Sequence, residues 1–220
     1  RGRTPENSDE RASWDQALKL DPTNELLARF PRRRLDAESI RDAMLASSGS
    51  LNHESGGPGV RPPLPIELIK TLKNGQWKTS DREADHYRRS IYIFARRNLR
   101  YPLFATFDRP AANCSCAVRH PSTTALQSLL LLNSKVSLDA ATRLANSVSS
   151  GTASRDEQCR EIYQRVLSRD PTADELQQCL GFLNSQSEML QSEKDSDPDR
   201  AALVDLCLAL FNSNQFLYVD

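Results

Sequence analysis

The sequence predicts a mainly α fold, an irregular helical bundle with a minor short-strand element and a long central loop region. Three observations predict it. Apolar residues recur at spacings of three and four in most segments bounded by glycine, proline or capping residues. Capping boxes stand at Thr124/Gln127, Ser154/Glu157 and Thr172/Glu175, all in the C-terminal hundred residues. Between them and the first helical pattern lies Gly56-Gly57-Pro58-Gly59-Val60-Arg61-Pro62-Pro63-Leu64-Pro65, which no regular helix tolerates.

The elements follow in order. Residues 1–24 form a polar arm whose first helix-like stretch is expected only after Ala12. The chain starts at Arg1 without a signal-peptide apolar region, as a processed or excised piece would. Asp36 is placed to cap a helix through Ile40, Ala43, Met44 and Leu45, ending in Ser47-Ser48-Gly49-Ser50. Ile91-Tyr92-Ile93-Phe94, β-branched and aromatic between arginine pairs, reads as a short strand. Tyr101 to Pro121 carries three prolines and no sustained period, and reads as loop. Thr124 then opens a helix through Leu126, Leu129, Leu130 and Leu132, and a second covers Leu138 to Val148. The capping boxes at Ser154 and Thr172 bracket Ser168-Arg169-Asp170-Pro171, the turn of an antiparallel helical hairpin. Asp197-Pro198 opens a last helix that is apolar nearly all round, as a central packed helix is. The tail from Phe211 to Asp220 is apolar enough to be expected docked. The organisation is therefore a 1–24 arm, a loop-rich basic part over 25–121, and a helical bundle over 122–220 that co-folds with it.

Charge sums to zero, 29 Lys+Arg against 29 Asp+Glu, which argues against a nucleic-acid partner held by a global positive field. No apolar run reaches the ~18–20 residues that span a bilayer. With 8 glycines and 12 prolines the chain is neither collagen-like nor low-complexity. The balance is local, however: residues 61–120 hold 12 Lys/Arg against 5 Asp/Glu, whereas residues 181–220 hold 2 against 7. Internal compensation and separate partner surfaces are both consistent with this asymmetry.

Few residue patterns carry chemistry. Cys159, Cys179 and Cys207 fall in predicted helices, where a buried thiol is an ordinary small apolar residue. Cys114 and Cys116, with His120 and Asp108, have donors suited to zinc, but the second cysteine pair of a structural site is missing. A disulfide from one of these two to a helix cysteine is the stronger reading. No Cys-x-x-Cys-His attachment, metalloprotease helix, nucleophile elbow, P-loop or dinucleotide fingerprint occurs, and no cofactor is expected. Arginines are more unusual: Arg32-Arg33-Arg34, Arg88-Arg89 and Arg96-Arg97 flank element boundaries. Their forked guanidinium groups either tie loops together through Asp36, Asp85 and Asp108 or face a carboxylate or sulfate ligand. Trp77, Tyr87, Tyr92, Tyr101 and Phe107 lie near enough in sequence to serve as sugar platforms or as core.

Four stretches resemble a known family. They are residues 30–45 (Phe-Pro-Arg-Arg-Arg-Leu-Asp-Ala-Glu-Ser-Ile-Arg-Asp-Ala-Met-Leu) and Gly56-Gly57-Pro58. The third joins Arg88-Arg89-Ser90-Ile91-Tyr92 with Phe107-Asp108-Arg109-Pro110 and Cys116-Ala117-Val118-Arg119, and the fourth is the tail from Leu210 to Asp220. In order and spacing they are similar to the planctomycete-specific C-terminal domain of unknown function found in secreted planctomycete cytochrome-c-domain proteins. The resemblance implies a helical, exported domain in the periplasm, cell envelope or extracellular space, associated with sulfatase and polysaccharide-degradation systems. It implies no reaction. The chain departs from the family by lacking its usual N-terminal helical part and by adding Cys114. A missing N-terminal segment of the same precursor, or another chain of a complex, is therefore the expected partner, and the isolated chain is expected to expose an apolar groove and associate.

These readings converge on an exported, non-catalytic interaction domain holding a neighbouring domain or an anionic polysaccharide. Its candidate ligand-binding residues are Arg88, Arg89, Arg96, Arg97, Asp108 and Arg119, with no metal ligand assigned. One alternative is a polysaccharide-active hydrolase or redox enzyme using Asp108, His120 and Cys116. The other is a structural component of a cell-envelope assembly.

Overall fold

The computed structural model describes residues 8–27, 32–72, 76–151, 154–193 and 196–219; the opening residues 1–7, positions 30–31 of the first family-like stretch and residue 220 lie outside them. Helix α1 (Ser8–Leu20) is followed by β1 (Arg33–Arg34), α2 (Ala37–Ser47) and α3 (Ile66–Lys70). Two 3₁₀ turns (Glu83–Tyr87 and Ser90–Tyr92) and α4 (Pro102–Thr106) complete the loop-rich part. The bundle comprises α5 (Ala125–Asn133), α6 (Lys135–Gly151), α7 (Arg155–Leu167), α8 (Ala173–Ser192), α9 (Pro198–Phe211) and α10 (Asn214–Leu217), and β2 (Tyr218–Val219) closes it. The fold is mainly α, with a two-stranded sheet as its strand content among the described residues.

Local chemistry starts most bundle helices where the sequence places them. Ser154 Oγ accepts from the Glu157 N–H at 3.3 Å, and Thr172 Oγ1 from that of Glu175 at 3.3 Å, while Glu175 returns a bond to the Thr172 N–H at 2.8 Å. Asp197 Oδ1 accepts from the Arg200 N–H, with Pro198 in the first turn. The core forms where α9 packs against α6 and α8 and α2 packs across α6 and α7. Leu144, Val148, Ile162, Leu183, Cys207 and Phe211 are among its buried side chains, joined by Ile40 and Met44 of α2. The apolar tail is docked: Phe216 packs on Phe211, and β2 pairs antiparallel with β1, Arg33 opposite Val219 and Arg34 opposite Tyr218. This pairing closes the chain end onto the segment that enters α2.

Three expectations are corrected. Helix α1 begins at Ser8, inside the Arg1 to Ala12 opening expected to hold no helix, and runs on through the stretch after Ala12 where one is expected. Residues 102–106 form α4 rather than loop, because Pro102 occupies the helix's first turn, where its missing N–H costs nothing. The run from Ile91 to Phe94 is not a strand: Ser90–Tyr92 is a 3₁₀ turn, and Ile93 makes a single bridge to Val60. The Asp42 carboxylate takes the Ser90 N–H at 2.8 Å, so a side chain satisfies a donor that a strand would give to a neighbour.

Candidate functional site

Parts of three family-like stretches, residues 33–38, 107–119 and the tail, meet in space around the entrance to α2. Arg34, buried in β1, donates to Asp108 Oδ2 at 2.8 Å, to Gln127 Oε1 at 3.1 Å and to the Ser122 carbonyl. Asp108 in turn accepts from the Ser122 N–H at 2.7 Å and from its hydroxyl at 2.8 Å. Its backbone is left-handed at φ 61°, a region where Asp is tolerated better than most side chains. Burial pushes the Asp108 carboxyl up, but the Ser122 N–H and the Arg34 guanidinium outweigh it and hold it below the usual carboxylate range. Beside this network, Arg119 forks onto Glu38 at 2.9 and 3.2 Å and reaches Asp36 at 3.4 Å, while Arg109 pairs with Glu38 at 3.0 Å. Burial opposes the Glu38 charge, yet the Arg119 bond keeps that carboxyl low. Asp36, engaged with Arg119, starts α2 without a side-chain cap.

A second network lies one turn further along α2. Arg41, 2% exposed, donates to the carbonyls of Arg88 at 2.9 Å and His86 at 2.5 Å and to Ser90 Oγ at 3.2 Å. Arg88, 3% exposed, donates to the Glu54 carbonyl at 3.1 Å and to that of Gly56, and lies 4.0 Å over the Tyr92 ring. The Tyr92 hydroxyl accepts from the Gly56 N–H at 3.0 Å. Gly56 and Gly57 have φ of 78° and 80°, and a Cβ at Gly57 would sit 3.8 Å from Arg88. The Gly56-Gly57-Pro58 loop is thus wrapped on Arg88 and Tyr92.

The expected site residues divide accordingly. Arg88, Asp108 and Arg119 are bonded within the fold. Arg89 is exposed, 4.0 Å from Asp42. Arg96 donates to the Gln76 carbonyl at 2.5 Å and opens a tight turn closed by the Leu99 N–H on the Arg96 carbonyl at 3.4 Å. Arg97 stands exposed on that turn and Arg100 follows it; among the described residues neither has an ion-pair partner. Of the carboxylates expected to tie the arginine clusters, Asp108 takes Arg34, whereas Asp36 pairs with Arg119 and Asp85 with Arg82. Trp77, Tyr101 and Phe107 are buried in the core; Tyr87 and Tyr92 are half-buried under Arg143 and Arg88.

The loop cysteines are exposed, Cys116 bonding the Val118 carbonyl, while Cys159, Cys179 and Cys207 are buried. All five carry free thiols, so the disulfide expected from the loop to a helix cysteine is not formed: the partners lie on the surface and in the core respectively. Asp108 bonds Arg34, Ser122 and Gln127 rather than His120, which is exposed. Among the described residues no three His, Cys, Asp or Glu side chains converge as metal ligands, and no helix is long and apolar enough to cross a membrane.

Sequence reasoning missed Arg34, Arg41, Glu38 and Asp42 as organising residues. Arg41 had a signal: it falls in the buried stripe Ala37, Ile40, Met44, Leu45, where a charge requires buried partners. Searches of curated proteins and of solved structures find no match. The family model described as a protein of unknown function (DUF1553) matches residues 7–183. Spanning most of the chain, that match takes in β1, α2, the glycine loop and both arginine networks, and the chain belongs to this family.

Proposed function

We propose that this is a non-catalytic interaction domain of an exported protein, binding an anionic glycan along the edge formed by Arg89, Arg96, Arg97 and Arg100. One observation carries the reading. Residues 86–107 contain five arginines and no Asp or Glu, and only Arg88 among the five is buried. Arg97 and Arg100, without an ion-pair partner among the described residues, keep their forked donors for sulfate or carboxylate, flanked by Arg89, 4.0 Å from Asp42, and Arg96, which donates to the Gln76 carbonyl. Phe94, 38% exposed, adds an apolar face beside them, with Arg61 stacked 4.3 Å over its ring. Arg88, buried beside Arg89, anchors the start of this edge, whereas Asp108 and Arg119 are engaged with Arg34 and Glu38 at the entrance to α2. Export and association with a cytochrome-c-domain precursor rest on the four family-like stretches.

The experiment is a titration with dextran sulfate and with neutral dextran at rising salt. Binding is expected for the sulfated polymer alone, weakening steeply as salt shortens the screening length from ~10 Å at 0.1 M. A triple Arg89/Arg97/Arg100→Gln variant is expected to lose at least tenfold in affinity. Equal affinity for both polymers, or an unchanged triple variant, overturns the reading.

A second reading, a protein partner covering α5, is favoured by Leu126, Leu129 and Leu132, which stand exposed at three-residue spacing. Light scattering that gives a strict monomer at high concentration, in the presence or absence of the adjoining precursor segment, counts against it.

A further inference from the structure

We propose that Cys159 and Cys179 are an oxidisable pair that closes into a disulfide across the α7–α8 hairpin. The two helices run antiparallel from a turn in which Ser168 adopts the left-handed conformation at φ 56° and Thr172 caps α8. Cys159 lies nine residues before Ser168 and Cys179 seven after Thr172, so each is roughly two helical turns from the connection, at one level. Both side chains are buried in the core, at 0% and 6% exposure, and each thiol perturbs the other's proton affinity. Tyr163, one turn beyond Cys159 on the same face, places its hydroxyl 3.7 Å from Cys179 Sγ. Arg169 lies 5.5 Å over the Tyr163 ring and forks onto Glu175, which fixes the tyrosine against the hairpin.

The cluster is asymmetric. The neighbouring Cys159 thiol and Tyr163 hydroxyl hold the Cys179 thiol down at about 7 against the effect of burial, while the Cys179 thiol and burial push Cys159 up. Cys179 is therefore the attacking thiolate. With a low-molecular-weight disulfide as oxidant, Cys179 Sγ bonds one sulfur and breaks the S–S bond. The first thiolate leaves and takes up the proton Cys179 released. Cys159 then gives up its proton and attacks Cys179 Sγ; the second thiolate leaves and takes up that proton. Two cysteine thiols are oxidised by two electrons, and one small disulfide becomes two thiols. Cys207, fully buried on α9, and Cys114 and Cys116 on the exposed loop are outside this cluster.

The test uses the full chain equilibrated with oxidised or reduced glutathione, then alkylated under denaturing conditions, digested with trypsin and weighed by mass spectrometry. The expected product is peptide 156–160 joined to peptide 170–194, lighter by two hydrogens than the separate pair, and abolished by reductant. The oxidised chain is expected to melt about 5–10 °C above the reduced one. A Cys114→Ser/Cys116→Ser double variant should retain both effects. Recovery of both peptides alkylated after oxidation, or linkage of either to Cys114, Cys116 or Cys207, overturns the proposal.

Discussion

The loop-rich half and the helical half of this molecule hold their backbones by different means. From α5 to α10 the main chain satisfies itself within helices, and apolar burial along α6, α8 and α9 fixes their arrangement. From Leu51 to Thr124 regular structure is sparse, and buried arginines do what a ladder of backbone bonds does elsewhere: Arg41 and Arg88 alone reach four backbone carbonyls. A loop region built this way has a well-defined shape without a large core. It also has single points on which whole segments depend.

Removing such a point is the strongest way to break the comparison. Arg41→Ala leaves the carbonyls of His86 and Arg88 and the Ser90 hydroxyl without their buried donor and is expected to cost about 3 kcal/mol or more. Leu144→Ala in α6 opens a core cavity and is expected to cost about 2–5 kcal/mol. Hydrogen exchange separates the two mechanisms. Arg41→Ala should expose the amides of residues 86–94 while α6 and α9 stay protected, whereas Leu144→Ala should weaken protection throughout. Equal patterns would show that the halves are held alike.

Asp108 gives a smaller effect. Asp108→Ala loses the bonds to Arg34 and Ser122 and places a side chain poorly suited to φ 61° there, at an expected cost of about 1–3 kcal/mol. Asp108→Asn should recover part of it, since Asn tolerates that conformation and keeps an accepting oxygen. Chemical denaturation of the two variants checks the order.

The bundle has an electrostatic counterpart in Arg169, which bonds Glu175 at 2.7 and 2.5 Å and Gln215 at 2.6 Å, joining the hairpin turn to the tail. The Arg169 bond holds the Glu175 carboxyl down to about 2, below its ordinary 4.5. A depressed carboxyl stabilises the fold above its unfolded value, and that contribution is lost as pH falls from about 4.5 through 2. Glu175→Gln is expected to be less stable than the native chain at pH 7 by under ~1 kcal/mol, with the gap shrinking over that window. A gap constant from pH 7 to pH 2, read by thermal melts, would remove Arg169 from the account.

The same contrast explains what was legible in the sequence. The boundaries of α7, α8 and α9 could be read because a cap and the bonds it satisfies lie within four residues of each other. The Asp108–Arg34 bond spans 74 residues and the Arg119–Glu38 fork 81, and no local pattern announces either. The stretch from Ile91 to Phe94 has strand composition, but Tyr92 and Ile93 close local turns onto the Arg89 and Ser90 carbonyls and only Val60, more than thirty residues earlier, pairs with it, which periodicity does not show. Arginine clusters were visible as clusters; which members turn inward was not, because that depends on which carbonyls the fold presents to them.

The division between inward and outward arginines is the central claim, and Arg88→Gln against Arg97→Gln tests it most directly, each variant melted and titrated with dextran sulfate side by side. The account predicts that Arg97→Gln binds several-fold more weakly with its melting temperature unchanged, and that Arg88→Gln melts several degrees lower because the Gly56 loop loses its anchor. A destabilised Arg97→Gln, or an Arg88→Gln that keeps the native melting temperature, would contradict it.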